Sequence, residues 1–268
     1  MADVIGAVAA LLMVLLAGIR WLRFRGHPWD IYYPKLAWLK ASTYFCAVYL
    51  LAWATGALEL VLTSPPVTAE QAANPAWVLY TIACYLFILA AYAGVWSYFT
   101  PVFERQKNTL VSAFFGFFWG SCQGLLFISV WLLIRKLGLP EWGTWIATFL
   151  ALGSWQPNFH NIWWDHYIAP EHDTPMTQKI KALGCHIPNL LVTLTYLTLY
   201  GNLGLFVSFQ VLACMSAAIG MRYPAPWVPP SAMNYAKRTS ARVPRCTGYI
   251  PADPLTDRYT PFYPGWKG

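Results

Sequence analysis

The side chains able to do chemistry are concentrated in one stretch, Ser154 to Asn189, which reads SWQPNFHNIWWDHYIAPEHDTPMTQKIKALGCHIPN. It holds four of the five histidines (His160, His166, His172 and His186) together with Asp165, Glu171, Asp173, Asn158, Asn161 and Asn189. Polar side chains cost free energy in or near hydrocarbon, so so dense a group at the end of an apolar run marks a candidate working site. Proton transfer is the first chemistry it suits. If residues 158–165 are helical, Asn158, Asn161 and Asp165 are three and four residues apart and share one stripe, with Gln156 and His160 on the next. An ionised aspartate at a membrane boundary loses solvation unless a His or Lys pairs with it. Asp165 is therefore the first choice for a general acid or base, with His160 or His186 as its partner and Glu171 as a second carboxyl. Asn158, Asn161, Trp164 and, from an earlier apolar run, Gln123 are candidates to line a substrate pocket.

A single metal ion is the second chemistry. His166 and His172 are the candidate ligands, with Glu171 and His186 of suitable type beside them. The recurrence His160, His166, His172 every six residues does not stack on one helical face, and the HxxxH and HxxHH clusters of membrane di-iron hydroxylases are absent. No cofactor is named by these residues. Part of the stretch also has a purely structural reading. Asp173-Thr174-Pro175 reads as a helix start, with Asp173 or Thr174 as cap and Pro175 in the first turn. MTQKIKAL then suits a short interfacial helix with Lys179 and Lys181 facing headgroups, and Trp163 and Trp164 suit interface anchors.

The elements that must position these residues are apolar. Of 268 residues, 57% are hydrophobic and 11% charged, with mean hydropathy +0.43. That is under half the charge a soluble domain carries, about 25%. The fifteen tryptophans fit rings that settle at membrane interfaces. These totals point to an all-helical, polytopic membrane bundle. The net charge of +7 is then read through topology and anionic lipid rather than nucleic acid, because no soluble module carries a basic patch. None of the six cysteines forms a CxxC pair, and five lie in or beside apolar runs, so small buried hydrophobes are the reading.

Seven spans are expected: from Val4 to Leu16, Ala41 to Thr63, Ala76 to Thr100, Thr109 to Ile134, from Trp145 into the polar stretch, Leu183 to Tyr200, and Leu203 to Met221. Arg20, Arg23 and Arg25 follow the first span, which favours an uncleaved helix with the N-terminus outside. Glu59 near the end of the second span is read as reaching the interface. Gly116, Gly120, Ser121 and Gly124 in the fourth let helices approach closely, and Gln123 among them suits an interhelical hydrogen bond or a cavity wall. Pro157 is expected to kink or interrupt the fifth span, and Gly201-Asn202 to turn between the last two. The basic loops then fall on one side with the tail, which places the C-terminus in the cytoplasm. Residues 1–222 form the bundle, and 223–268 an irregular tail rich in Pro, aromatic and basic residues that suits headgroups or a protein partner.

The functional expectation is an integral membrane enzyme doing acid/base chemistry, an isomerase or lyase performing isomerisation, cyclisation or hydration. Its substrate is a lipophilic small molecule, isoprenoid or lipid, reached from membrane lipid at the cytoplasmic face. Size and span number match the small integral membrane terpene cyclases, an analogy of architecture alone, since none of their residue patterns occurs here. The competing classes are a transporter, which wants charged or broken-helix features near the midplane, and a non-catalytic assembly subunit docked through its tail. No nucleotide-binding glycine loop, serine elbow or HExxH is present, and the last span lacks a lysine for a Schiff base.

Overall fold

A computed structural model describes residues 34–99, 103–104, 108–163, 175–223, 225–228 and 234–238. The expected first span, Val4 to Leu16, lies outside the described residues. The helices are α1 (Pro34–Thr55), α2 (Ala57–Thr63), α3 (Ala69–Ala73), α4 (Pro75–Leu89), α5 (Thr109–Arg135), α6 (Glu141–Trp163), α7 (Pro175–Lys181), α8 (Ile187–Tyr200) and α9 (Leu203–Gly220). A π-helical segment, Ala90–Trp96, extends α4, and a second, Ala182–His186, joins α7 to α8. A short antiparallel ribbon pairs β1 (Phe103–Glu104) with β2 (Asn234–Arg238).

The architecture is an all-helical bundle in which Pro75–Trp96, Thr109–Arg135, Lys179–Tyr200 and Leu203–Gly220 are long and apolar enough to cross a membrane. A fifth span is counted if α1 and α2, bent by 80°, act as one. Four of the expected spans thus coincide with these helices to within a few residues. The expected second span is broken rather than continuous. Gly56 takes the left-handed conformation (φ 79°) that a side chain disfavours, so α1 closes and α2 starts afresh with Glu59 exposed. The expected fifth span is the 23-residue α6, about 35 Å long at 1.5 Å per residue, with a polar second half. Pro157 does not interrupt it; the helix continues to Trp163. The MTQKIKAL segment is not a separate interfacial helix. It runs through the π segment into α8 without a break, and Lys181 is buried while Lys179 is exposed. The wider π turn rotates the residues before it relative to those after it, which changes the face that Lys181 presents.

Helix direction follows from the side-chain pairs. In α5, a Cβ on Gly116 would sit 2.5 Å from the Met215 Cα and one on Gly124 2.9 Å from the Val207 Cα. A Cβ on Gly120 would overlap the Val211 backbone. These pairs make α5 and α9 antiparallel, with backbones in contact along the Gly-xxx-Gly-xxx-Gly row. Lipid tails give helices no hydrophobic reason to associate, so such backbone-level packing supplies the attraction instead. Helix α1 runs parallel to α5, with Tyr49 Oη 2.9 Å from Ser121 Oγ, and Thr55 Oγ1 donating to Ser129 Oγ at 3.1 Å. Helix α4 runs antiparallel to α8, pairing Thr81 with Tyr196 (3.1 Å) near one end and Tyr92 with His186 (3.2 Å) near the other.

One end of the bundle is tied by neutral polar groups. Thr68 and Gln71 form a capping box on α3, Gln71 Nε2 donates to the Tyr200 carbonyl (3.2 Å), and Asn202 Nδ2 donates to the Pro66 carbonyl (2.6 Å). The expected turn is present there, with Gly201 left-handed (φ 62°) and Asn202 capping α9. At the opposite end the chain after α9 folds back. Tyr223 stacks on Phe115 (centroids 3.6 Å, 10° between planes), and Ser112 Oγ donates to the Tyr223 carbonyl at 3.0 Å. Leu79, Leu86, Leu110, Leu150 and Leu199 point outward and are exposed.

The packing predicts opposite outcomes at two glycines. Gly120→Ala should lower stability by about 1–3 kcal/mol, because its Cβ meets backbone that cannot move aside. Gly153→Ala, whose Cβ would only reach Leu190 Cδ2 at 4.0 Å, should be neutral or stabilise by about 0.5–1 kcal/mol. Unfolding of detergent-purified variants measures both.

Candidate functional site

The two π-helical segments face each other. Cys185 Sγ donates to the Ala91 carbonyl (3.2 Å), and Ser97 Oγ donates to the Tyr92 carbonyl (2.7 Å). These side chains supply donors where a π turn departs from the regular α pattern of backbone bonds. Across the contact Tyr92 Oη lies 3.2 Å from His186 Nδ1, with ring centroids 5.8 Å apart at 61°. Tyr92 is buried and His186 half-buried.

From this pair a chain of hydrogen bonds runs through the interior. Asn189 Nδ2 donates to Tyr92 Oη (3.2 Å) and to Gln210 Oε1 (3.3 Å). Gln123 Nε2 also donates to Gln210 Oε1 (2.9 Å), and Cys214 Sγ donates to Gln123 Oε1 (3.5 Å). Gln210 Nε2 donates to Thr193 Oγ1 (3.2 Å), whose own proton goes to the Asn189 carbonyl (2.7 Å). Asn189, Thr193, Gln210, Gln123 and Cys214 are all buried. The seam therefore joins the extension of α4 with α5, α8 and α9.

The directions of these bonds are set by proton count. Thr193 has one hydroxyl proton, committed to the Asn189 carbonyl, so Gln210 must present an N–H to Thr193 and its oxygen to the other side. Asn189 must then present its N–H groups to Gln210 and to Tyr92. Tyr92 Oη accepts from Asn189 and lies within hydrogen-bond distance of His186 Nδ1. With the imidazole protonated on Nε2 the tyrosine donates to Nδ1, and with it protonated on Nδ1 the phenol oxygen accepts. One acceptor is left over. Asn189 Oδ1 is buried and has no hydrogen-bond partner among the described residues.

Of the residues expected from sequence, His186 and Gln123 are both in this seam. Gln123 makes the interhelical hydrogen bond, to Gln210. His160, Asn158 and Asn161 lie on the last turns of α6, with side chains outside the described residues. Asp165, Trp164, His166, Glu171 and His172 also lie outside the described residues. In sequence they fall between the end of α6 at Trp163 and the start of α7 at Pro175. Among the described residues no three His, Cys, Asp or Glu side chains are grouped to hold a metal. Sequence reasoning missed Tyr92, Thr193, Gln210 and Cys214. Gln210 carried a usable signal, being a primary amide in the middle of an apolar helix, as Gln123 is. Tyr92 carried none among the sixteen tyrosines. Cys84, Cys122, Cys185 and Cys214 are free and buried, while Cys46 is exposed.

Helices of this length and apolarity mark a helical membrane protein. No family model, curated protein or solved structure matches this chain.

Removing either glutamine tests the seam as a physical unit. Gln210→Leu should cost more stability than Gln123→Leu, because it strands amides on both Gln123 and Asn189. A double-mutant cycle between them should give a coupling of about 0.5–2 kcal/mol, measured by unfolding in mixed micelles.

Proposed function

We propose that this chain is an integral membrane enzyme that transfers a proton to or from a lipophilic substrate at the end of the bundle holding His186. The observation that carries the reading is the Tyr92–His186 hydrogen bond between two facing π-helical segments. Such segments are frequent at functional sites, and a tyrosine–imidazole pair backed by an amide has the groups needed to pass a proton. In the relay, the Tyr92 proton moves to His186 Nδ1 as the Nε2 proton leaves for the substrate. The tyrosine oxygen, now anionic, keeps the Asn189 Nδ2–H as its donor. Return of the proton restores the resting state. Isomerisation needs one further group to take a proton from the neighbouring carbon, and Asp165, with His160 or Glu171, fills that role in this proposal. Cyclisation needs the same two functions at the start and end of a carbocation path.

The exposed apolar faces suit a substrate that enters from the bilayer. Charge supports a cytoplasmic position for the His186 end. Lys35, Lys40, Lys179, Lys181 and Arg222 belong to the helix termini there, against Arg135 and Lys136 with Glu59, Glu70 and Glu141 at the other. A transporter is less well supported, because the described seam contains no carboxylate and the break at Gly56 falls at a bundle end rather than midway.

The catalytic reading is tested by incubating membranes with a lipid and prenol extract in D2O and searching for deuterated lipophilic products. Wild type should make one. His186→Ala should lower its rate by about 10²–10⁴-fold, and Tyr92→Phe should also lower it, to a smaller extent. No deuterated product from wild type discards the enzyme. Orientation is tested separately, in a background with Cys46 and Cys246 replaced by serine. An impermeant maleimide should label Leu137→Cys on intact cells and Trp227→Cys only after permeabilisation; the opposite pattern inverts the topology.

A further inference from the structure

We infer that Asn189 Oδ1 receives the O–H of a lipophilic alcohol or phenol, so that the seam is a binding site for the hydroxyl end of an otherwise apolar molecule. The inference rests on the reading of the seam as a substrate site and names the substrate class for it. Its basis is the one acceptor that the hydrogen-bond count leaves over. The Asn189 amide cannot be turned to bring Oδ1 to Gln210, since two carbonyl oxygens would then face each other at the 3.3 Å contact. Turning Gln210 to relieve that would take the Thr193 hydroxyl off the Asn189 carbonyl and set the Gln210 and Gln123 N–H groups against each other. Every other amide group in the seam is engaged: both Gln123 atoms, both Gln210 atoms and Asn189 Nδ2. Asn189 itself is 1% exposed, so bulk water does not satisfy the remaining oxygen. A buried acceptor without a donor is costly, and the cost is recovered when a donor arrives.

The donor must be neutral. Among the described residues the seam on these four helices consists of amides, hydroxyls, a thiol and one imidazole, with no carboxylate to balance an ammonium group. It must also be small, because Tyr92 and Gln210 already hold the same side-chain amide. A hydroxyl satisfies both conditions, and its oxygen stays available to a proton donor such as the His186–Tyr92 pair. An amide donor would bring a carbonyl needing a donor of its own.

The test compares alcohols with their methyl ethers, which keep the shape and lose the proton. Farnesol, hexadecanol and 4-nonylphenol, each beside its ether, are titrated into the full chain in nanodiscs, with thermal stabilisation and tryptophan fluorescence as readouts. At least one hydroxyl compound should bind about tenfold more tightly than its ether. Asn189→Leu should abolish that preference. Equal binding of every alcohol and its ether by wild type overturns the inference and leaves the place to an ordered water. So does a preference that survives in Asn189→Leu. The wild-type comparison decides even if that variant does not fold. Preferential alcohol binding without any deuterated product would remove the enzyme and keep this inference; a deuterated product without that preference would do the reverse.

Discussion

The contact on which the rest of the bundle depends is the backbone-to-backbone approach of α5 and α9. Gly116, Gly120 and Gly124 present no Cβ along one row of α5, and the backbone of Val207, Val211 and Met215 occupies the space. In hydrocarbon no water is released when helices meet, so attraction comes from close packing and from bonds between polar groups. The first of these makes the second available. With the axes this near, Gln123 lies 2.9 Å from Gln210 and Cys214 3.5 Å from Gln123. A glutamine facing lipid in either helix would have been a liability; paired across this contact, the two become the centre of the polar seam. The glycine row and the seam are therefore one device, and the aromatic layer above it, Phe115 against Tyr223, closes the same helix pair at the His186 end.

The second constraint is that a buried hydrogen-bond chain has a direction. Protons cannot be shared arbitrarily when each hydroxyl has one and each amide two. Thr193 is the residue that orients the whole run, although it is chemically the least conspicuous member. Its proton goes to the carbonyl one turn back, a local bond common for threonine in helices, and that commitment favours the orientation of Gln210 and Asn189. At one end the run reaches the Tyr92–His186 contact. The consequence in the middle is an oxygen with nothing to accept.

Much of the helix layout was legible in the sequence, for a plain physical reason. Hydrocarbon requires long uninterrupted apolar runs, so Thr109–Arg135 and Leu203–Gly220 announce themselves by composition. The small residues of α5 and the Gly201-Asn202 turn were legible because their roles are local. What composition could not reveal was conformational detail inside a run. The bend at Gly56 depends on one residue adopting a left-handed φ, which a glycine permits but does not require. The continuation of α6 past Pro157 to Trp163 is likewise not written in composition. For the site, His186, Gln123 and Asn189 stood out because polar groups are conspicuous in apolar sequence. Tyr92 did not, because a tyrosine is equally at home as an interface ring. Only the register between α4 and α8 makes it a partner of His186. The stretch from Asp165 to His172, which attracted most attention as sequence, lies outside the described residues.

The balance between a structural seam and a working one turns on the π segments. A seam that served only to hold helices together would be satisfied by Gln123, Gln210 and Asn189 between regular α-helices, as interhelical amide bonds are elsewhere in membranes. It would not need two helices to widen at the same level and to bring donors from Cys185 and Ser97 to the carbonyls there. Irregular helical turns are less favourable than α-helix, and they persist where the surrounding structure over-determines them. Here both occur in the two helices that carry Tyr92 and His186. The widened turns set Tyr92 against His186 as well as tying the two helices through Cys185 and the Ala91 carbonyl. Strength is already provided by the glycine row, whose contacts involve neither residue. The deviation from regular geometry is therefore concentrated where proton transfer would use it, and that separation of tasks favours chemistry over adhesion for this end of the molecule.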